Sequence, residues 1–539
     1  MPVTPDSNPH LRPPRYPFGN PDGARADLKE VMHGFVGLAD ESFHAALGDP
    51  AEDLSARIII GRMGAGKTIY LRRSHAMAGA DPATYADAVR NDLPSTDDVV
   101  DVCHRYEPET VEETWTAIWR RAILRALASH LLFAPSLRES VSFAARERLE
   151  EDFAALLGRP TAPRSPYAEV SAIIRKHRSR GSLDRYLKHP QWPDLTWHLS
   201  QALRETRPVY FHLDAVDEQF GRAPMYWLKL QKGLFHAVID LLRDSDFGGR
   251  LHVVACVRDI VYSHILRSEH AGRYRDEPHI RVLDWNALAI RQLLIAKIGR
   301  LGAFHRMDPD SEDVAGWLGL REIDNPRRNV LEPVEDYLLR HTRMLPRDIV
   351  FLGNSLCREV ARAKRDGATG LEESTIRRVV GSAAATFADM QLQACANQIA
   401  ADMMPANAVT QRYAEVYLGD TEYSRGLAEE LRKVIRSIGR DRFDAMQLDL
   451  ARRDAGKRLE AHARPGEERD VGLQVLDVLW QQGLLGYQAA EGDEDDIRFF
   501  ARADVTDFHL PMDRLGYVFH SCVAHSIPLE PVGPPVPTG

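Results

Sequence analysis

Three isoleucines, residues 58–60, run straight into Gly-Arg-Met-Gly-Ala-Gly-Lys-Thr at 61–68, and nothing else in the chain constrains its fold as tightly. The spacing of Gly61, Gly66, Lys67 and Thr68 fits G-x-x-x-x-G-K-[ST]. In that pattern a short apolar strand turns sharply into a loop whose main-chain N–H groups close around phosphate oxygens while the lysine neutralises them. Gly64 and Ala65 complete the loop. Residues 68–77 read as the start of a helix, which aims unpaired N–H groups and the positive helix end at the same anion. An incidental glycine-rich turn would explain the glycines, but not a strand before them and a helix after. On this reading Lys67 contacts the β- and γ-phosphates of a nucleotide such as ATP, and the Thr68 hydroxyl ligates Mg2+.

A strand that is apolar throughout belongs inside a parallel sheet with both faces covered. Four further segments read as its partners: "VVDVC" ending at Cys103, "VYFHL" at 209–213, "LHVVACV" at 251–257 and "HIRVL" ending at Leu283. Helical stretches separate them, so the fold class is α/β with βα alternation.

Hydrolysis needs more than a phosphate loop: a carboxylate for the metal shell and a group that positions water. "VYFHLDAVDEQF" offers both, with Asp214 at the end of an apolar strand and Asp217 and Glu218 just beyond it. Asp214 is the metal-shell candidate, and either Asp217 or Glu218 would polarise the water. His212, inside the strand, reads as a core histidine. Arg258 closes the next apolar strand, at the sheet edge where ligands gather, and is a candidate sensor of the γ-phosphate. Arg343 and Arg347 flank Pro346 at a helix junction, a place from which a guanidinium can reach over a nucleotide. Arg267, Arg273 and Arg275 are candidates for a finger offered to a neighbouring copy.

At 539 residues, with about 100–200 residues per domain, the chain should hold several units. Residues 1–27 read as an extended arm, rich in proline and glycine, whose Tyr16 and Phe18 are its docking residues. The core spans 28–284, opening with a helix over 28–47 and interrupted by a helical insertion at about 136–194. The insertion's "IIRKHRSRG" reads as a solvated basic helix end. A nearly all-helical lid follows at 285–366, with Gly367 and Gly370 as a joint, then a helical domain at 371–460 and a polar linker, "EAHARPGEERD". The last unit, 471–530, reads as a helix and two strands joined by an acidic loop, the end of a winged-helix pattern.

The formal net charge of −9 supplies no overall attraction to nucleic acid or an anionic membrane. Five scattered cysteines with no C-x-x-C pair suit a reducing cytoplasm. No apolar run approaches the roughly 20 residues needed to span a bilayer, and the first residues lack the apolar core of a secretory signal. The expected location is cytoplasmic, with no membrane partner.

The "YFHLDAVDE" form, together with "FGNPDG", "GRMGAGKT", "ACVRD" and "GLLGY…YVFHS", resembles P-loop ATPases of the additional-strand class. Within it the chain is similar to the group that holds the STAND signalling ATPases and the origin-recognition-like AAA+ proteins, including bacterial members of phage-defence systems. The resemblance implies strand order 5-1-4-3-2, an α-helical lid and a winged-helix domain. It also implies ATP and Mg2+ as ligands, with Lys67, Thr68 and Asp214 in their family roles and Arg258 and Arg347 as sensors. The function implied is an ATP-hydrolysing switch that acts on a protein partner or by self-association. The alternative is an ATPase that loads or moves on DNA through its winged helix. Against it stands the acidic loop with Glu491, Asp493, Glu494, Asp495 and Asp496, which would meet phosphates with like charge.

Overall fold

The computed structural model describes residues 15–33, 35–36, 57–87, 93–157, 162–214, 224–247, 249–268, 271–274, 277–403, 421–459, 470–489, 496–500 and 509–532. Its centre is an all-parallel sheet of five strands, β1 (Ile58–Gly61), β2 (Tyr85–Ala86), β3 (Val209–Leu213), β4 (Leu251–Arg258) and β5 (Ile280–Val282), in the order β2-β3-β4-β1-β5. β1 is sandwiched: Ile58 lies opposite Ala255 on one side and Ile280 on the other. All four of its residues are buried. Period-two alternation divides its isoleucines between two cores. Ile58 and Ile60 join Phe211, Val253 and Val257 under the helices Pro108–Phe133 and Pro224–Leu242. Ile59 joins Cys256 and Leu283 against the helices that follow β5. An apolar strand without polar alternation is what a sheet covered on both faces requires.

The expected strand at "VVDVC" is instead a helix, Thr96–Arg105. Ser95 caps it by accepting from the Asp98 amide, Asp97 and Asp98 occupy the first turn, and His104 and Arg105 the last. Val99, Val100, Val102 and Cys103 form its buried face. The sheet's second strand is the two-residue β2, paired to β3 at Tyr85↔Val209. Between β2 and β3 the described chain is helical from Thr96 to Arg204 apart from short connections, so the insertion is part of a larger helical layer over the sheet.

The helix expected over 28–47 is described as Leu28–His33, and 37–56 lie outside the described residues. The arm before it docks through Phe18, which is 1% exposed. The Phe18 ring packs against Trp317, and its amide donates to Asn354 Oδ1 at 3.0 Å. A side chain at Gly353 would collide with the Phe18 ring. Tyr16 is only partly buried. A single 3-10 turn, Gly23–Arg25, interrupts the arm.

The stretch after Trp285 is not wholly helical. Helices Ala287–Gly299, Val334–Arg340 and Pro346–Arg365 share it with an antiparallel hairpin, β6 (Glu322–Asn325) and β7 (Val330–Pro333). Asn329 takes φ 53° at the turn, a left-handed conformation that asparagine tolerates. The 31-residue helix Glu373–Met403 then runs out of this region. Its Ile376, Val380 and Phe387 belong to the same apolar cluster as Ile59, whereas Ala388, Leu392 and Ile399 belong to a third cluster farther along the chain.

That third cluster lies under the helices Thr421–Ile438, Ala445–Leu459 and Val471–Gln481 and a four-stranded antiparallel sheet ordered β10-β9-β11-β8. Its strands are β8 (Arg442–Asp444), β9 (Leu485–Gln488), β10 (Ile497–Arg498) and β11 (Gly516–Phe519). β8 is a strand where helix was expected, and it pairs with β11. Among the described residues no helix is long and apolar enough to cross a membrane.

Candidate functional site

The loop after β1 is shaped by two left-handed glycines, Gly64 at φ 98° and Gly66 at φ 94°. A side chain would be strained at either, and at Gly64 its β-carbon would also lie 3.2 Å from Arg347 Cβ. Gly66 is the N-cap of the helix Lys67–Ala80 and brings no side chain to that end. The first turn contains no acidic residue, so the helix end is left to favour an external anion. Lys67 is 5% exposed and arches over the loop, donating to the Gly61 carbonyl at 2.8 Å and the Arg62 carbonyl at 3.1 Å.

Thr68 Oγ1 donates to Asp214 Oδ2 at 2.7 Å. This contact joins two segments that lie 146 residues apart in sequence. Asp214 follows β3 and is 8% exposed. One hydroxyl and one carboxylate so close together could supply the one or two protein oxygens with which magnesium is typically held. No cluster of three or more metal-ligating His, Cys, Asp or Glu side chains occurs among the described residues. Asp217 and Glu218 lie outside the described residues.

Arg258 sits where β4 ends, paired across the sheet with Gly61 at the start of the loop. Its amide donates to Gln231 Oε1 at 3.3 Å, and the residue is 6% exposed. Arg347 is the second residue of the helix Pro346–Arg365; its amide donates to the Gly64 carbonyl at 3.2 Å, and it lines a cleft with Gly64, Gly66, Lys67 and Thr68. Arg347 therefore lines the loop's cleft, while the Arg258 main chain lies beside the loop's first glycine.

Arg343 is engaged elsewhere, in a buried pair with Asp348 at 2.6 Å. Arg267 donates to the Ser263 carbonyl at 3.4 Å, and Arg273 stacks over Tyr274, 5.7 Å from the ring centre. Arg275 lies outside the described residues. His212 is 2% exposed, lies 3.3 Å from the Ser74 hydroxyl, and burial lowers its pKa to about 3, so it is a neutral core histidine.

Several contacts around the loop had no signal in the sequence. Trp285 Nε1 donates to the Ala65 carbonyl at 2.9 Å, and its ring borders an apolar recess beside Gly66 with Tyr70, Leu293 and Val350. Gly19 and Asn20 of the arm form part of the same recess, held there because Asn354 donates to the Gly19 carbonyl at 2.9 Å. Arg62, in the loop itself, donates to the Gln481 carbonyl at 2.9 Å. Tyr167, from the helical insertion, donates to the Asp214 carbonyl at 2.7 Å. Each joins residues at least 47 positions apart.

No family model matches the chain, no curated protein matches its sequence and no solved structure matches its fold. The functional assignment therefore stands on the site's own geometry.

Proposed function

We propose that this protein binds ATP with Mg2+ at the Gly61–Thr68 loop and hydrolyses it as a molecular switch of the STAND or origin-recognition-like AAA+ kind. The single observation that supports this most is the 2.7 Å bond from Thr68 to Asp214, because it unites the loop hydroxyl and the strand-end carboxylate that a magnesium shell needs. Lys67 leaves the carbonyls of Gly61 and Arg62 for the phosphates, exchanging neutral acceptors for charged ones. Thr68 and Asp214 would hold the magnesium, which would supply charge neutralisation at the phosphate oxygens. Asp217 or Glu218 orients the attacking water, and Arg258 and Arg347 approach the phosphates from either side. The recess between the arm and Pro346 is apolar and adjoins the loop, which suits a purine base.

The segment after β5 acts as the lid, and the C-terminal unit is a winged helix. Its order of helix, strand, two helices and further strands fits that fold. The helix that would enter a DNA groove is Val471–Gln481. It has no lysine or arginine, and none of its eleven residues is exposed. Like the acidic loop after it, this favours a protein surface or another part of the chain over DNA. The output is accordingly a protein partner or self-association in the cytoplasm, and a role in phage defence is the context that the resemblance suggests.

The test is nucleotide binding and phosphate release by the purified protein with and without Mg2+. Lys67→Ala and Asp214→Ala should each lower turnover by about 100-fold or more. Wild-type protein that holds ATP but never releases phosphate, alone or with candidate partners, would make the site a static clamp. A salt-sensitive shift of duplex DNA would restore the loader reading.

A further inference from the structure

Tyr167 holds the main chain of Asp214, the residue whose carboxylate is the proposed magnesium ligand. Its hydroxyl donates to the main-chain carbonyl of Asp214 at 2.7 Å while the side chain of the same aspartate accepts from Thr68. β3 ends one residue before Asp214, and residues 215–223, which include Asp217 and Glu218, follow it. The Tyr167 hydroxyl thus grips the chain one residue beyond the end of β3.

The grip is rigid. Tyr167 is fully buried and stands in the first turn of the helix Pro166–Lys176, whose N-cap Ser165 accepts from the Ala168 amide at 3.2 Å. Its ring meets Trp119 edge-on at 5.5 Å. Two residues later Glu169, also fully buried, is ion-paired with Arg125, and Arg125 in turn donates to the Tyr186 hydroxyl at 3.2 Å. Trp119 and Arg125 both belong to the helix Pro108–Phe133, which packs on the sheet.

We infer that Tyr167 is a positioning residue for hydrolysis: it fixes the Asp214 backbone so that the carboxylate meets the Thr68 hydroxyl and the metal. The helical insertion thereby becomes a working part of the nucleotide site. This rests on the ATPase reading above. A carboxylate on a strand end with nothing behind it can swing, and a magnesium shell tolerates little departure from octahedral geometry.

The experiment uses Tyr167→Phe in the full chain, which keeps the ring against Trp119 and removes only the hydroxyl. Nucleotide affinity is measured in EDTA and in Mg2+, alongside turnover and thermal melting. Expected are wild-type affinity in EDTA, and losses of about two- to tenfold both in the affinity gained on adding Mg2+ and in kcat, as one net hydrogen bond allows. In an Asp214→Ala background the same substitution should cost nothing further, because Tyr167 acts through Asp214. Full retention of the Mg2+ gain by Tyr167→Phe overturns the inference, as does an equal loss in both backgrounds, which would mark a purely structural tyrosine. Wild-type protein that binds no nucleotide with or without Mg2+ would instead bring down the phosphate-loop reading and this role together, so the two failures look different.

Discussion

The parallel sheet and the C-terminal antiparallel unit each have an apolar core, but they are joined to their surroundings by different means. Around the parallel sheet the contacts are apolar on both faces, with Ile58 and Ile60 sealed under one helical layer and Ile59 under the other. The C-terminal unit meets the rest of the chain through apolar groups and, beside them, through a set of polar ones. Gln391 donates to the Gln482 carbonyl at 2.9 Å, Gln398 to Gln481 Oε1 at 2.6 Å and Arg62 to the Gln481 carbonyl, while Arg328 pairs with Asp441. The helix Glu373–Met403 contributes apolar residues to cores on both sides, and Leu266 packs against both the core of the parallel sheet and that of the C-terminal unit. An apolar sheet cannot be opened without losing the fold, whereas a joint of hydrogen bonds can exchange protein partners for water at a net cost of about 1 kcal/mol each. The switch proposed above would need both kinds of contact.

Two glycines at close helix crossings give the largest test of that contrast. An added β-carbon at Gly233 would lie 2.7 Å from the Trp115 carbonyl carbon, and one at Gly472 would lie 2.7 Å from that of Arg452. Both contacts are with backbone, so neither can be relieved by rotating a side chain. Gly233→Ala should cost about 3 kcal/mol or more and remove nucleotide binding with the fold. Gly472→Ala should melt the C-terminal unit by a similar amount and leave nucleotide affinity within about twofold, seen as two separated transitions in denaturant. Equal loss of nucleotide binding in both variants would mean that the two regions unfold as one body.

What could be seen in the sequence follows from how local each feature is. The isoleucine strand, the loop glycines, Lys67 and Thr68 occupy one short run, and Asp214 is marked by the apolar strand directly before it. β2 was missed because two residues cannot display a period; main-chain bonds hold it, such as the Tyr85 amide to the Pro208 carbonyl at 2.8 Å. "VVDVC" places apolar residues where either a strand or a helix can use them, and the Ser95 cap decides. "EIDN" and "RFD" have too little apolar alternation to announce β6 and β8. Tyr167, Trp285 and Asn354 reach the site across 47, 220 and 335 positions of sequence, and no local pattern records a tertiary contact.

Acid offers a second, smaller test. His520 and His525 of the C-terminal unit have pKa values lowered to about 4, in both cases first by burial. Around His520, Arg343 and Arg62 push the same way while Asp348 opposes; around His525, Arg327 adds to burial. The unfolded chain takes up these protons near pH 6.5 and the folded chain only near 4. Stability therefore falls as pH drops through that window, by at most about 1.4 kcal/mol per unit for each histidine, and flattens below it. His212 and His252 of the parallel sheet have values of about 3, so its decline should continue about one unit lower. Denaturant melts between pH 7.5 and 2.5 read both windows. His520→Gln should reduce the slope for the C-terminal transition alone; an unchanged slope would remove His520 as its source.

The smallest effect belongs to Arg62, which touches both regions. Its guanidinium donates to the Gln481 carbonyl at 2.9 Å, and a side chain at Gly483 would lie 3.0 Å from it, so the contact also needs that glycine. Arg62→Ala leaves Lys67, Thr68 and Asp214 untouched and removes one bond of a joint in which Gln391 and Gln398 still hold. The cost should be about 1 kcal/mol, seen as roughly fivefold faster amide exchange in the helix Val471–Gln481, with exchange in the Lys67–Ala80 helix unchanged. Because the loop offers this side chain to the C-terminal unit and, on the function proposed here, its backbone to phosphates, nucleotide added to wild-type protein should alter exchange in Val471–Gln481, and nucleotide added to Arg62→Ala should alter it less. If exchange rises equally in both helices, the loop and the C-terminal unit are mechanically one piece and the joint is not a joint.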